Sequence, residues 1–174
     1  MKLSELMKNH TPNPAYTGFI TQDDMVLAVD CGESPADSTA LDAAVVADFA
    51  VVQLGIAGVD SSMNPTSTDS TYLRTGTSTT KTGTQRSFKI TGDRYVGDAF
   101  QDFALSNKIK FGSGGDVVRA YVYFNVRTGL GEKGMASIIV NSDASGNAGD
   151  NATVDIDLKS IGTAPTEYTY AASA

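Results

Sequence analysis

The sequence predicts a mainly β protein: an antiparallel β-sandwich or barrel of about six to eight strands, with one flanking α-helix, a long polar loop and two terminal arms. Three observations predict it. Short runs alternating apolar and polar residues recur along the chain, most clearly from Asp116 to Arg127. Glycine-containing turns of hairpin length separate the later runs, which implies antiparallel neighbours. Only one stretch, Gly97 to Asn107, carries the apolar spacing of a helix.

Residues 1–22 read as an N-terminal arm, because Pro12 and Pro14 block regular structure. Met25 to Val29 reads as a buried strand, closed by Gly32 and Pro35. Asp37 to Asp48 fits either a short helix or the lead-in to a strand. Phe49 to Ile56 is apolar and β-branched, as a strand requires. Residues 60–85 then interrupt the pattern: from Ser61 to Thr84 more than half the residues are Ser or Thr. Connections inside compact domains usually run ~4–6 residues, so so long a polar segment reads as an arm reaching beyond its own domain.

Gln85 to Gly92 resumes as a strand, with Phe88 and Ile90 facing one way and Ser87 and Lys89 the other. In the helix, Asp98 suits the N-terminal end of the dipole. Phe100, Phe103 and Ala104 form its apolar stripe. Lys108 to Phe111 alternates as a short strand, and Gly112 to Gly115 ends it. In the run from Asp116 to Arg127, Val118, Ala120, Val122, Phe124 and Val126 make one face. Arg119, Tyr121, Tyr123, Asn125 and Arg127 make the other. Gly129 to Gly134 turns the chain, Met135 to Val140 continues as a strand, and Asp143 to Asn151 turns again. Thr153 to Lys159 puts Val154, Ile156 and Leu158 inward and Asp155, Asp157 and Lys159 outward. The domain thus spans 23–161, followed by a C-terminal arm, 162–174, that can serve as an edge strand.

The 174 residues carry a net charge of −7. That argues against ordinary nucleic-acid binding, which needs a basic face. No apolar run approaches the ~20 residues of a membrane span, and the start has no apolar core of a signal peptide. Cys31 is the sole cysteine and His10 the sole histidine, which excludes an internal disulfide and the usual zinc sites. Gly129, Gly131 and Gly134 match G-x-G-x-x-G, but a strand pattern follows instead of a helix, so a hairpin turn is expected. Asp143 to Asp150 departs from a calcium loop, with Ala148 and Val154 where Gly and Glu belong. No acid, base and nucleophile set emerges, so no enzyme, cofactor or metal is expected.

The order of blocks resembles the major tail (tail tube) protein of long-tailed bacteriophages. It is carried by the Ser/Thr arm, then Arg86-Ser87-Phe88-Lys89-Ile90-Thr91-Gly92-Asp93-Arg94, the helix from Asp98, the strand Asp116 to Arg127, and Ile139 to Asp150 followed by Glu167-Tyr168-Thr169-Tyr170. It covers roughly residues 20–170. It implies a fold similar to the type VI secretion tube protein, copies closing into rings of six, and rings stacking into a hollow tube through which DNA is ejected. It implies a virion location after assembly in the host bacterial cytoplasm. The implied partners are the chain itself and other tail proteins (tape measure, tail tip and terminator). DNA would transit without specific binding, and no membrane is involved.

On that footing the loop residues Thr66, Ser67, Asp69, Tyr72, Leu73, Arg74, Thr79 and Lys81 are candidates for bridging subunits or rings. Arg119, Tyr121, Tyr123 and Arg127 are candidates for the subunit interface, since Tyr and Arg are enriched there. Asp155 and Asp157 are candidates for the bore, where carboxylates repel phosphates over about a Debye length, ~8 Å. The alternative is a carbohydrate- or protein-binding β-sandwich of a phage particle. The absence of Trp, the usual sugar platform, counts against it.

Overall fold

The computed structural model describes residues 1–33, 35–37 and 41–171. Its core is one antiparallel sheet of eight strands, curled into a half-barrel, with a few short helices. The strands are β1 (Met25–Val29), β2 (Ala50–Val51), β3 (Ile56–Ser62), β6 (Ser87–Asp93), β7 (Val118–Asn125), β8 (Leu130–Ser145), β9 (Thr153–Ser160) and β10 (Thr166–Thr169). Their order is β2-β1-β7-β8-β9-β6-β3, with β10 added against the start of β8. The remaining strands, β4 (Pro65–Tyr72) and β5 (Gly76–Thr84), pair only with each other. The expected mainly β, antiparallel architecture is therefore present, as one curled sheet.

β7 is the keystone. It pairs β1 on one side and β8 on the other, and every residue after Val118 is buried. Tyr121 and Tyr123 face a core that also holds Phe88, Ile90, Ile156 and Leu158. Phe100 and Ala104 of α3 (Ala99–Ala104) and Ile109 of α4 (Asn107–Lys110) close that core. Ala120, Val122 and Phe124 face a second core under α1 (Leu3–Met7) and α2 (Ala43–Ala47). A central strand covered on both sides can be apolar on both.

Several expectations change here. Residues 1–22 are not an arm throughout. Leu3 and Met7 are buried, Leu3 N donates to Phe49 O (2.9 Å), and Val51 N donates to Met1 O (3.0 Å). The helix expected over Gly97 to Asn107 is α3 alone, capped by Asp98, whose Oδ2 accepts from Gln101 N at 3.0 Å. Lys108 to Phe111 is not a strand; most of it forms α4, which buries Ile109 and leaves Phe111 exposed. The ambiguous Asp37 to Asp48 contains α2, capped by Asp42 through Val45 N (2.9 Å). Part of that stretch, including Ala40, lies outside the described residues, as do the last three residues of the C-terminal arm. The rest of that arm is docked: β10 pairs β8, and Tyr168 and Tyr170 pack on Phe124 with ring centroids 5.6 Å away.

The turn expected over Gly129 to Gly134 is shorter. The chain reverses through Thr128–Gly129, where Gly129 has φ 72°, and β8 begins at Leu130. Gly131 is a strand residue. A Cβ there would lie 2.1 Å from Tyr123 O and 2.4 Å from Phe124 Cα, so the close approach of β7 demands glycine.

Candidate assembly surfaces

The polar segment 60–85 is not an irregular loop. Thr favours extended backbone, and the segment folds as the end of β3, then β4, then β5. Tyr72 pairs Gly76 across a three-residue turn in which Arg74 takes φ 70°. Cross-strand hydroxyl contacts line the ribbon: Thr79 Oγ1 donates to Asp69 Oδ1 (2.7 Å), Thr71 and Thr77 meet at 3.2 Å, and Thr82 donates to Thr66 (3.1 Å). Almost every residue of both strands is exposed. At ~3.4 Å per residue the ribbon is roughly 25–30 Å long. Its tip carries Tyr72, Leu73 and Arg74, all exposed. Of the expected bridging residues, Thr66, Ser67, Asp69 and Tyr72 lie on β4, Leu73 and Arg74 in the turn, and Thr79 and Lys81 on β5.

The ribbon continues the β3–β6 ladder across a break. Ser62 pairs Ser87 below it, and Pro65 pairs Thr84 above it. At the break Asn64 takes φ 39°, and its Nδ2 donates to Ser87 Oγ (2.7 Å) and Gln85 O (3.1 Å). Arg86 anchors this joint. Its guanidinium is buried, donates from Nε to Glu132 Oε1 (2.7 Å), and lies 4.6 Å above the Phe88 ring and 5.1 Å from that of Tyr123. Its Nη1 reaches Met63 Sδ (3.3 Å), and Tyr121 OH donates to the same Glu132 oxygen (3.3 Å). Burial, and next the Glu132 charge, push the Tyr121 phenol well above its ordinary range. Sequence reasoning missed this joint. Its signal was a lone Arg at the start of an apolar strand, opposite a lone Glu on the strand two places away.

The expected subunit interface is corrected. Arg119 and Tyr121 are 1% and 0% exposed, and Tyr123 is buried beside them, so all three belong to this chain's own core. Arg119 Nη1 donates to the carbonyls of Asp116 (3.1 Å) and Val118 (2.7 Å), and its guanidinium sits 5.2 Å over Phe103. The reason is the helical layer: α3 and α4 cover the face that looked polar. Arg127 alone stays near the surface. It pairs through Nε with Asp24 Oδ1 (2.8 Å) and stacks 5.4 Å from Tyr16. That hydrogen bond holds the Asp24 carboxyl below its ordinary range.

Asp155 and Asp157 do face outward on β9, with Val154, Ile156 and Leu158 inward. They are not a bare carboxylate pair. Lys89 of the neighbouring strand meets Asp155 at 2.7 Å and Asp157 at 3.9 Å. Asn141 Nδ2 also donates to Asp155 (3.1 Å). The Lys89 hydrogen bond, then that of Asn141, hold the Asp155 carboxyl low.

No protein-family model and no curated protein matches the sequence. Among solved structures, the chain is similar to a chain of the virion of a native gene transfer agent particle, with TM-score 0.53 and 16% identity over 87% of this chain and 100% of that one. It is also similar to a chain of the tail of an empty gene transfer agent particle refined helically with C6 symmetry, with TM-score 0.53 and 17% identity over 87% of this chain and 99% of that one. At these identities the likeness is one of fold.

Proposed function

We propose that this chain is a structural subunit of a phage-type tail tube and not an enzyme. Copies close into rings, six by analogy with the C6 tail of the similar fold. The rings stack into a hollow conduit for DNA. The chain would assemble in the host cytoplasm and reside in the virion tail, meeting the tape measure, tail tip and terminator proteins at the tube's ends.

The observation that carries the reading is the β4–β5 ribbon. A two-stranded hairpin is marginal in water on its own, and this one packs no apolar face on its own domain. A second chain supplies what it lacks. The free edge of β3 adds to the case, since a seven-residue exposed edge is a pairing hazard in a monomer and an asset in an assembly. Negative-stain microscopy of concentrated protein tests the proposal: hollow tubes of uniform width are expected. Particles that stay monomeric at every concentration would overturn it.

A further inference from the structure

The ribbon tip and a second apolar cluster lie at opposite ends of one ladder. β3 pairs β6 from Ile56↔Gly92 to Ser62↔Ser87. The ribbon leaves from the Ser62/Ser87 end. At the Ile56/Gly92 end, Leu54, Tyr95 and Val96 are exposed, and the Leu54 and Tyr95 backbones meet at one side chain. Gln101 fixes them there: its Nε2 donates to Leu54 O (2.7 Å) and Asp93 O (3.1 Å), and its Oε1 accepts from Tyr95 N (3.0 Å). The tip offers Leu73, 87% exposed, and the cluster offers Val96, 80% exposed. Charge is complementary as well. The tip carries Arg74. Around the cluster stand Asp93 and Asp102, both exposed, with Arg94 paired to Asp102 and Asp93 left without an ion pair among the described residues.

We propose that the Tyr72–Leu73–Arg74 tip of one copy docks on the Leu54–Tyr95–Val96 cluster of a second copy. The proposal rests on the tube reading and names the surface that receives the ribbon. On the tube reading the contact is heterologous: two different patches, at opposite ends of one body, meet between successive copies. They propagate head to tail, with each copy receiving a tip at one end and presenting one at the other. The chain from Leu54 to Leu73, through β3 and β4, sets the reach: fully in line, it places the tip at most about 65 Å from its own copy's cluster. The axial repeat of the polymer is therefore below about 65 Å.

The test mixes two singly substituted proteins, Leu73→Cys and Val96→Cys, under oxidation, with microscopy in parallel. Cys31 contributes little background, because burial, chiefly, pushes its thiol up to about 12. Tubes with a dominant Leu73→Cys/Val96→Cys disulfide are the expected result. Tubes in which that disulfide is absent, or in which each variant links only to itself, overturn the docking and leave the tube reading standing. No polymer from the unsubstituted chain overturns both. A second variant, Leu73→Asp, keeps the fold, since the residue touches no core, and is expected to raise the critical concentration for polymerisation about tenfold or more. An unchanged critical concentration would also overturn the docking.

Discussion

Arg86 is the residue on which the ribbon's joint turns. A buried guanidinium is tolerable only when its charge and its flat faces are all used, and here Glu132, Phe88, Tyr123 and Met63 use them. Arg86→Ala should cost about 3 kcal/mol, the low end for breaking a buried pair, because Glu132 keeps some solvent. A lowered urea midpoint reads this. Arg86→Lys should recover only part of it, since an ammonium cannot stack across two rings. The buried phenols give a second residue-scale expectation. Burial raises Tyr121 above its ordinary range and pushes Tyr168 up to about 12. Both are neutral when folded, so their stabilisation is complete below the unfolded pKa of ~10 and is lost as pH climbs through the folded values. Stability should hold to about pH 10 and then fall, with tyrosinate absorbance rising together with unfolding. Tyrosine titration complete before any unfolding would contradict the burial.

The ribbon, at the scale of elements, carries the sharpest expectation. Deleting Ser67 to Lys81 removes almost no core, because those residues are exposed on both faces. The deletion should leave the far-ultraviolet circular dichroism of the half-barrel and its melting nearly unchanged, and abolish tubes. An unfolded deletion protein would make the ribbon part of the domain's own stability. The sequence showed that this segment was foreign to the core, but not that it was strand. Hydrophobic alternation reports a strand only when one face is apolar, and Thr68, Ser70, Thr77 and Thr79 are polar on both. β7 failed in a different way. Its alternation and extent were legible, and so was the inward face of β9. Arg119, Tyr121 and Tyr123 fit a subunit interface by residue type, since Tyr and Arg are enriched at such surfaces, but residue type does not say which partner covers them. The fold turns them inward, where Arg119 Nη1 meets two backbone carbonyls and the Tyr121 hydroxyl meets Glu132, while Arg119 Nε is buried without a hydrogen-bond partner. Gly131 was read as a turn for a similar reason: nothing local distinguishes a turn glycine from one that makes room for a neighbouring strand. Gly131→Ala should destabilise the β7–β8 pair by more than the ~1 kcal/mol propensity scale, visible as a drop in Tm.

The whole molecule is an open half-barrel, and its two edges differ. β2 is two residues long and is covered by the start of the chain through Lys2 and Ala50. β3 is long and exposed, with Gln22 reaching across the groove beside it to Val59 O (3.3 Å). One protected edge and one open edge suit a body that joins others in a defined direction. In the proposed conduit, charge would act less simply than a wall of bare carboxylates. Lys89 partly neutralises Asp155 and Asp157, so in the proposed conduit repulsion of DNA would rest on the chain's net charge of −7 and not on those two residues. Two consequences of opposite sign follow. Like-charged copies repel across about a Debye length, ~10 Å at 0.1 M salt, so raising salt from low to physiological should speed assembly. Duplex DNA mixed with assembled tubes should show no retention in co-sedimentation, at physiological salt or below it, because a chain of net charge −7 repels phosphate. Retention that strengthens as salt falls would reveal a basic path along the tube and count against the proposed conduit, since a wall that grips phosphates would hold the DNA passing it.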